Sequence, residues 1–295
     1  RDCPVPGLVL PAGGAGGVYA SHASPGRPRL ALATKGAVVL FKPAGWEVDA
    51  TAEKAATSAA QPLSSFLAAH AGPSCVVRSL EHAHGFLHRL DALASGLVLQ
   101  ATCHEGYMDL CIQRELGWMQ RDYIVLCHGW LNEDRDITAR IRKGRGGSSQ
   151  AALHGRPART RVKVLAHAQH GAAPLSLVMV TIHSGRTHQI RCHLSYAGHP
   201  VVCDSRYGTS SDAVWCPRHF LHRHRLAFYD LDACPRAAVE PLPPDLLAVL
   251  ACLRVVRGVQ TVRAWLEGGA EQRSWEEWES LHDQKQEARS WEEWE

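Results

Sequence analysis

Ser184-Gly185-Arg186-Thr187-His188-Gln189-Ile190-Arg191 follows an apolar run, Leu175 to Ile182, and leads into Cys192-His193-Leu194-Ser195. The run reads as a strand. Thr187 is a good N-cap, and Gly198 with Pro200 stands where a helix should stop, so the spacing predicts a helix from Thr187 to about Ala197. On that helix His188, Arg191 and Ser195 share one face, and Ile190 and Leu194 form the buried stripe. A helix N-terminus with Arg186 just before it is a natural place for an anion. Four histidines cluster here, His183, His188, His193 and His199. Their spacings of five and six residues do not share a helical face, and no Cys or carboxylate completes a ligand pattern, so no metal is expected.

Outward from this unit, strands and helices mix. Val38 to Phe41 is a short strand stopped by Lys42-Pro43-Ala44-Gly45. Residues 51–72 are Ala-rich, with Leu63, Phe66 and Leu67 at helical spacing. Leu97 to Ala101 and Tyr123 to Cys127 read as strands. Met108, Cys111, Ile112 and Leu116 fall on one helical face. Residues 132–163 are polar and basic, with a loop at Gly144, Gly146 and Gly147, and Pro243-Pro244-Asp245 opens an apolar helix running to Gly258. The mixture predicts an α+β domain. Its expected limits are residues 36–258. Residues 1–35, rich in Gly, Ala, Pro and Ser, read as a loose extension. Residues 259–295 read as an appended acidic tail in which Arg273 to Glu279 recurs as Arg289 to Glu295. The Trp pairs of that repeat suit a protein partner, not a catalytic role.

The net charge of +3 hides an asymmetry. Residues 271–295 hold nine acidic and three basic side chains, so the other 270 carry +9. A body that basic suits a polyanion. The ten cysteines include no C-x-x-C pair and read as reduced thiols of an intracellular protein. No membrane-spanning stretch is visible. Five basic residues against one acidic in residues 1–46 are compatible with the end of an organellar targeting segment, so cytoplasm and organelle (mitochondrion or plastid) both stay open.

Three further groupings have chemical potential. His88-Arg89-Leu90-Asp91-Ala92-Leu93-Ala94-Ser95-Gly96 places a carboxylate in a loop just before a strand. Alone, it is also an ordinary Asp turn. Arg121-Asp122-Tyr123 puts an aromatic at a strand start, either as half-buried core or as a platform for a nucleobase. Arg140, Arg142, Lys143, Arg145, Arg156, Arg159, Arg161 and Lys163 are either a solvated face or contacts to a phosphate backbone, and the basic excess favours the latter.

Together these segments resemble the RluA-like family of pseudouridine synthases, in the family's order. Lys42-Pro43-Ala44-Gly45 looks like its early strand and turn, His88-Arg89-Leu90-Asp91 with Ser95-Gly96 like its catalytic loop, and Arg121-Asp122-Tyr123 like its basic-x-Tyr motif. Ser184 to Arg191 looks like its most specific signature, and Gly198-His199-Pro200 with Asp204, Tyr207 and Gly208, then Leu221-His222 and Pro243 to Leu246, complete the match over about residues 36–257. Ala94, Ser184, Arg121, Cys203 and Arg223 depart from the family pattern, Arg223 standing where a small residue is usual.

The resemblance implies a mixed, largely antiparallel sheet with peripheral helices and a basic cleft. It implies isomerisation of uridines in structured RNA, rRNA or tRNA, with no cofactor and no metal, by a monomer. Asp91 would be the essential carboxylate, Arg191 its partner, and Tyr123 would stack on the uracil. Arg89, Arg186, His188, Gln189, Arg142, Lys143 and Arg145 would contact RNA. The alternative is a catalytically silent RNA-binding paralogue of the same fold.

Overall fold

A computed structural model describes residues 26–48, 61–70, 75–144, 147–208 and 214–267. The N-terminal Gly/Ala/Pro stretch, Arg145 and the Trp-rich repeat lie outside the described residues.

The strands are β1 (Arg29–Thr34), β2 (Ala37–Lys42), β3 (Trp46–Glu47), β4 (Gln61–Pro62), β5 (Ser95–Ala101), β6 (Gln120–His128), β7 (Arg135–Ile137), β8 (Ile141–Lys143), β9 (Ser149–Ala151), β10 (Thr160–His170), β11 (Ala173–Ile182), β12 (Leu221–Tyr229), β13 (Pro235–Val239) and β14 (Arg254–Arg257). The helices are α1 (Leu63–His70), α2 (Cys75–Arg78), α3 (His104–Leu116), α4 (Gln189–Tyr196), α5 (Pro244–Ala251) and α6 (Val259–Leu266). One sheet dominates, in the order β1-β2-β5-β12-β6-β11-β10-β14, with β13 on β12 and β7 on β10. Within it β5 and β12 pair in parallel and the other pairs are antiparallel. The expected α+β architecture with a largely antiparallel sheet is what the chain adopts.

The central strands are apolar on both faces because both are covered. In β6, Tyr123, Val125 and Cys127 join the cluster containing α4, while Ile124 and Leu126 join the opposite cluster with α5 and α6. Ile190 and Leu194 are buried, as their spacing predicts.

Several boundaries differ from the sequence reading. Helix α4 starts at Gln189, because His188 takes a left-handed conformation (φ 50°) and makes no side-chain cap. Of the apolar stripe on α3, Met108, Ile112 and Leu116 face solvent, and Cys111 is half-buried against the core. The buried side is Gly106, Leu110 and Gln113. A Cβ on Gly106 would overlap the Gly36 backbone, and the Gln113 amide pairs with the Tyr229 backbone through two 2.8 Å hydrogen bonds. Those two contacts fix which side of α3 meets the sheet. Helix α5 stops at Ala251, short of Gly258, since Arg254–Arg257 form β14 on the open edge of β10. In the basic stretch, the segment marked by Gly144, Gly146 and Gly147 is flanked by the two strands of a short hairpin, β8–β9. The packed body also exceeds residues 36–258: β1 pairs with β2, and Val262 and Trp265 of α6 are buried in the second cluster. Among the described residues no helix is long and apolar enough to cross a membrane.

Candidate active site

Asp91 lies in the loop that enters β5, and three groups pin that loop. Lys42 at the end of β2 is fully buried, and its Nζ donates to the carbonyls of Pro43 (2.9 Å), Trp46 (2.7 Å) and Ala92 (3.1 Å). Three carbonyls need three N–H donors, which only the ammonium has. Burial, seconded by Arg218, opposes that charge and brings the Lys42 pKa down to about 7. Gly45 N–H donates to the same Ala92 carbonyl at 2.8 Å. Arg218 donates to the Leu93 carbonyl (3.1 Å) and the Ser95 hydroxyl (3.0 Å), and is itself held by Asp245 at 2.6 Å. At the end of the loop, Gly96 has φ 124°, and a Cβ there would overlap the Arg223 backbone of β12. Only glycine lets the parallel strand approach so closely.

Arg191 on α4 faces this loop. Its Nη1 donates to Asp91 Oδ2 at 2.7 Å, while Nε and Nη2 donate to Asp204 at 2.6 and 2.7 Å. Asp204 is fully buried and Asp91 partly open, so one guanidinium ties an interior carboxylate to a solvent-facing one. The Arg191 hydrogen bonds hold the Asp204 carboxyl below its usual range against the upward push of burial. Tyr207 lies beneath, with its ring 5.1 Å from the Arg191 guanidinium carbon. The Tyr207 hydroxyl accepts from Ser149 N–H at 2.6 Å and shares a 3.0 Å hydrogen bond with His188 Nδ1. That leaves the other His188 nitrogen, Nε2, 3.8 Å from Asp91 Oδ1. Burial lowers the His188 pKa, so the ring is neutral at pH 7.

A cavity of about 600 Å³ opens beside Asp91, with Tyr123, Arg121, Arg223 and the 183–191 segment on its walls. Thus Asp91, Arg191, Tyr123, Arg89, Arg186 and His188 line one cavity. Arg89 is exposed at the rim, and Arg186 Nε donates to the Pro157 carbonyl at 3.1 Å. Gln189 lines the same cavity but is buried with its polar groups engaged: its amide donates to Arg159 O and Thr160 Oγ1, and its oxygen accepts from Ser184 Oγ and Arg186 N–H. It braces the loop and has no N–H or carbonyl left for a ligand.

Arg142 and Lys143 are exposed on the β8–β9 hairpin, which Ser149 ties to the site by a 2.6 Å hydrogen bond to the Thr187 carbonyl. Lys163 of the same basic run is buried, and Arg159 pairs with Asp136. The remaining histidines disperse. His193 is buried against Thr160 Oγ1 and the Ala139 carbonyl, and His199 bonds the His128 carbonyl.

Lys42, Asp204, Tyr207 and Arg218 were not singled out as site residues. For the first three the signal was present, since each sits in a quoted motif. Arg218 has no local signal; the fold alone brings it to the loop.

The profile of the RNA pseudouridylate synthase family matches residues 37–196. The chain is 33% identical over 180 residues to the ribosomal large subunit pseudouridine synthase D of Nitrosomonas europaea, covering 58% of this chain and 51% of that protein. It is 33% identical over 179 residues to the ribosomal large subunit pseudouridine synthase C of Yersinia pestis, covering 57% and 55%. The chain therefore spans about half the length of the curated relatives it matches. Among solved structures, human RNA pseudouridylate synthase domain containing 1 superposes with a TM-score of 0.59 at 23% identity, over 83% of this chain and 98% of that one, which shows the shared fold. With the profile spanning over half of its residues and the RluA-like motifs converging on one cavity, the chain belongs to the RNA pseudouridylate synthase family.

Proposed function

We propose that this chain isomerises uridines of a structured RNA, rRNA or tRNA, to pseudouridine. The observation that carries the reading is Asp91: a carboxylate at a cavity of about 600 Å³, aimed by Arg191, which is anchored on buried Asp204. Such a carboxylate can work at the sugar C1′, either as nucleophile or by taking a sugar proton. Tyr123, on the cavity wall, stacks on the extruded uracil. Arg89, Arg186 and the hairpin cations Arg142 and Lys143 contact phosphates, with Arg145 continuing that run. His188 supports Asp91. The relatives' names make ribosomal RNA the first substrate to try. The chain works as a monomer, and its acidic Trp-rich tail takes a protein partner.

The test is Asp91→Asn. Shape is kept and the carboxylate is lost, so RNA should bind nearly as before while pseudouridine formation falls by at least about 10²–10⁴. Measurable turnover above a contamination control would remove Asp91 from this role.

A further inference from the structure

Arg223 of β12 stands directly across from Tyr123 of β6 and from Gly96 of β5. It is 1% exposed. Its Nε donates to the Tyr123 hydroxyl oxygen at 2.9 Å, and Nη2 donates to the same oxygen. Nη1 donates to His88 Nδ1 (2.6 Å) and to the Leu97 carbonyl (2.9 Å). Two donors fill both lone pairs of the Tyr123 oxygen, so the phenol has only its own proton left to offer.

Arg121 lies two residues before Tyr123 on the same strand face and is 2% exposed. Among the described residues it gives one hydrogen bond, to the His183 carbonyl at 3.0 Å, and its Nε is buried without a partner. Burial lowers the Arg121 pKa to about 10, still a cation at neutral pH. Neither Arg121 nor Arg223 forms an ion pair with a carboxylate among the described residues. Asp91 is committed to Arg191 on the other side of the cavity. Two desolvated cations on one wall without a counter-charge are unfavourable. A ligand that carries negative charge into the cavity removes that penalty.

We infer that Arg223 and Arg121 form an anion-stabilising wall for the base, with Arg223 also positioning Tyr123, so that the pocket favours uracil in its anionic form. This rests on the isomerisation proposed above. There, the N1–C1′ bond breaks and its electron pair stays on the base, spread over N1, O2 and O4. C1′ is taken up by Asp91 or relieved by loss of a sugar proton. C5 then bonds to C1′ as the Asp91–C1′ bond breaks or, on the other route, as the sugar carbon takes its proton back from Asp91; the C5 proton leaves and N1 takes one up, so the atoms of uridine are conserved. The positive wall acts while the base is detached and charged, when preorganised charge in a dry site is most effective.

The test uses free bases that compete with substrate RNA for the full chain. Uracil is neutral at neutral pH; 5-nitrouracil is similar in size and anionic there, because the nitro group acidifies the ring. The wild type should bind nitrouracil at least about tenfold more tightly than uracil. The preference should vanish when the pH falls below the ionisation of nitrouracil itself. Arg223→Met should remove most of the preference and slow single-turnover conversion of bound RNA by about 10², with RNA affinity unchanged. Arg223→Lys keeps the charge but not the fork, and should retain the preference while still losing rate.

Equal binding of the two bases by the wild type overturns the inference, and that comparison stands even if Arg223→Met does not fold. A preference that survives in folded Arg223→Met removes Arg223 from the assignment. A wild type that makes no pseudouridine sinks the proposed function. One that makes it while binding both bases alike sinks only this inference.

Discussion

Arg191 holds Asp91 with one nitrogen and Asp204 with two. The two-point grip on the buried Asp204 fixes the plane of the guanidinium, and only then is Nη1 presented to Asp91 in a defined direction. The aim of the solvent-facing carboxylate is thus set by an interior one.

Asp204→Asn should therefore behave unlike a surface change. Asparagine keeps the shape but leaves Arg191 without its buried counter-charge, and breaking a buried pair costs about 3–5 kcal/mol. Conversion of bound RNA should slow by about 10–10² through loss of aim, with RNA affinity within a few-fold of wild type. Single-turnover kinetics and urea melts check both. Wild-type turnover in the variant would show that Asp91 is aimed without Asp204.

The hairpin cations give a salt-dependence prediction. For single strands, log K falls with log salt by about 0.7 per neutralised phosphate. If Arg142 and Lys143 each cover one, replacing both with Gln should flatten the slope by about 1.4. Filter binding across a salt series measures it. An unchanged slope means that these exposed side chains are only solvated.

The C-terminal limit is testable by truncation. A chain ended at Glu267 keeps α6, whereas one ended at Gly258 loses buried Val262 and Trp265, the latter edge-on to His224 at 4.7 Å. Emptying a buried Trp site costs about 3–5 kcal/mol. The shorter chain should melt markedly lower in urea and the longer one like the full chain. Equal melts would make α6 dispensable.

Local pattern made the strands and the catalytic loop legible. Val38 to Phe41, Leu97 to Ala101 and Tyr123 to Cys127 announce themselves as apolar runs, and Ile190 and Leu194 mark the buried side of α4. What stayed hidden depends on partners distant in sequence. The orientation of α3 is decided by Gly106 against Gly36 and by Gln113 against Tyr229. Neither contact leaves a periodic trace, so the apolar stripe of Met108, Ile112 and Leu116 pointed the wrong way. Arg218 reaches the Asp91 loop only because β12 and β5 lie side by side. Gln189 sits inside the signature segment, and only its four internal hydrogen bonds show that it braces the loop instead of meeting RNA.

Acid stability offers the last prediction. Several interior histidines are held neutral by burial. His219 is lowered to about 4, and His88 and His222 lie well below their usual value. His193 is lowered too. His222 shows why: it is fully buried, with His224 and Arg218 nearby, so a charge on its ring would be desolvated and repelled although Nε2 meets the Glu240 carbonyl and Nδ1 the Ser95 hydroxyl. A folded pKa below the unfolded value of about 6.5 means that the unfolded chain takes up the proton first. The stability contributed is complete above pH ~6.5 and is lost as pH falls toward about 4. Each such histidine adds a slope of up to about 1.4 kcal/mol per pH unit in that window. Buried Glu240, whose pKa is raised, works the other way but is one group against four. Asp204 and Asp136 are lowered carboxylates, and their stability is lost only below about pH 4. Urea melts at pH 7, 6 and 5 should therefore show stability falling with a steepening slope, before the lowered carboxylates Asp204 and Asp136 titrate. A flat profile from pH 7 to 5 would mean that these rings accept protons inside the fold, and that the arrangement around His222 and Ser95 is looser than the hydrogen bonds imply.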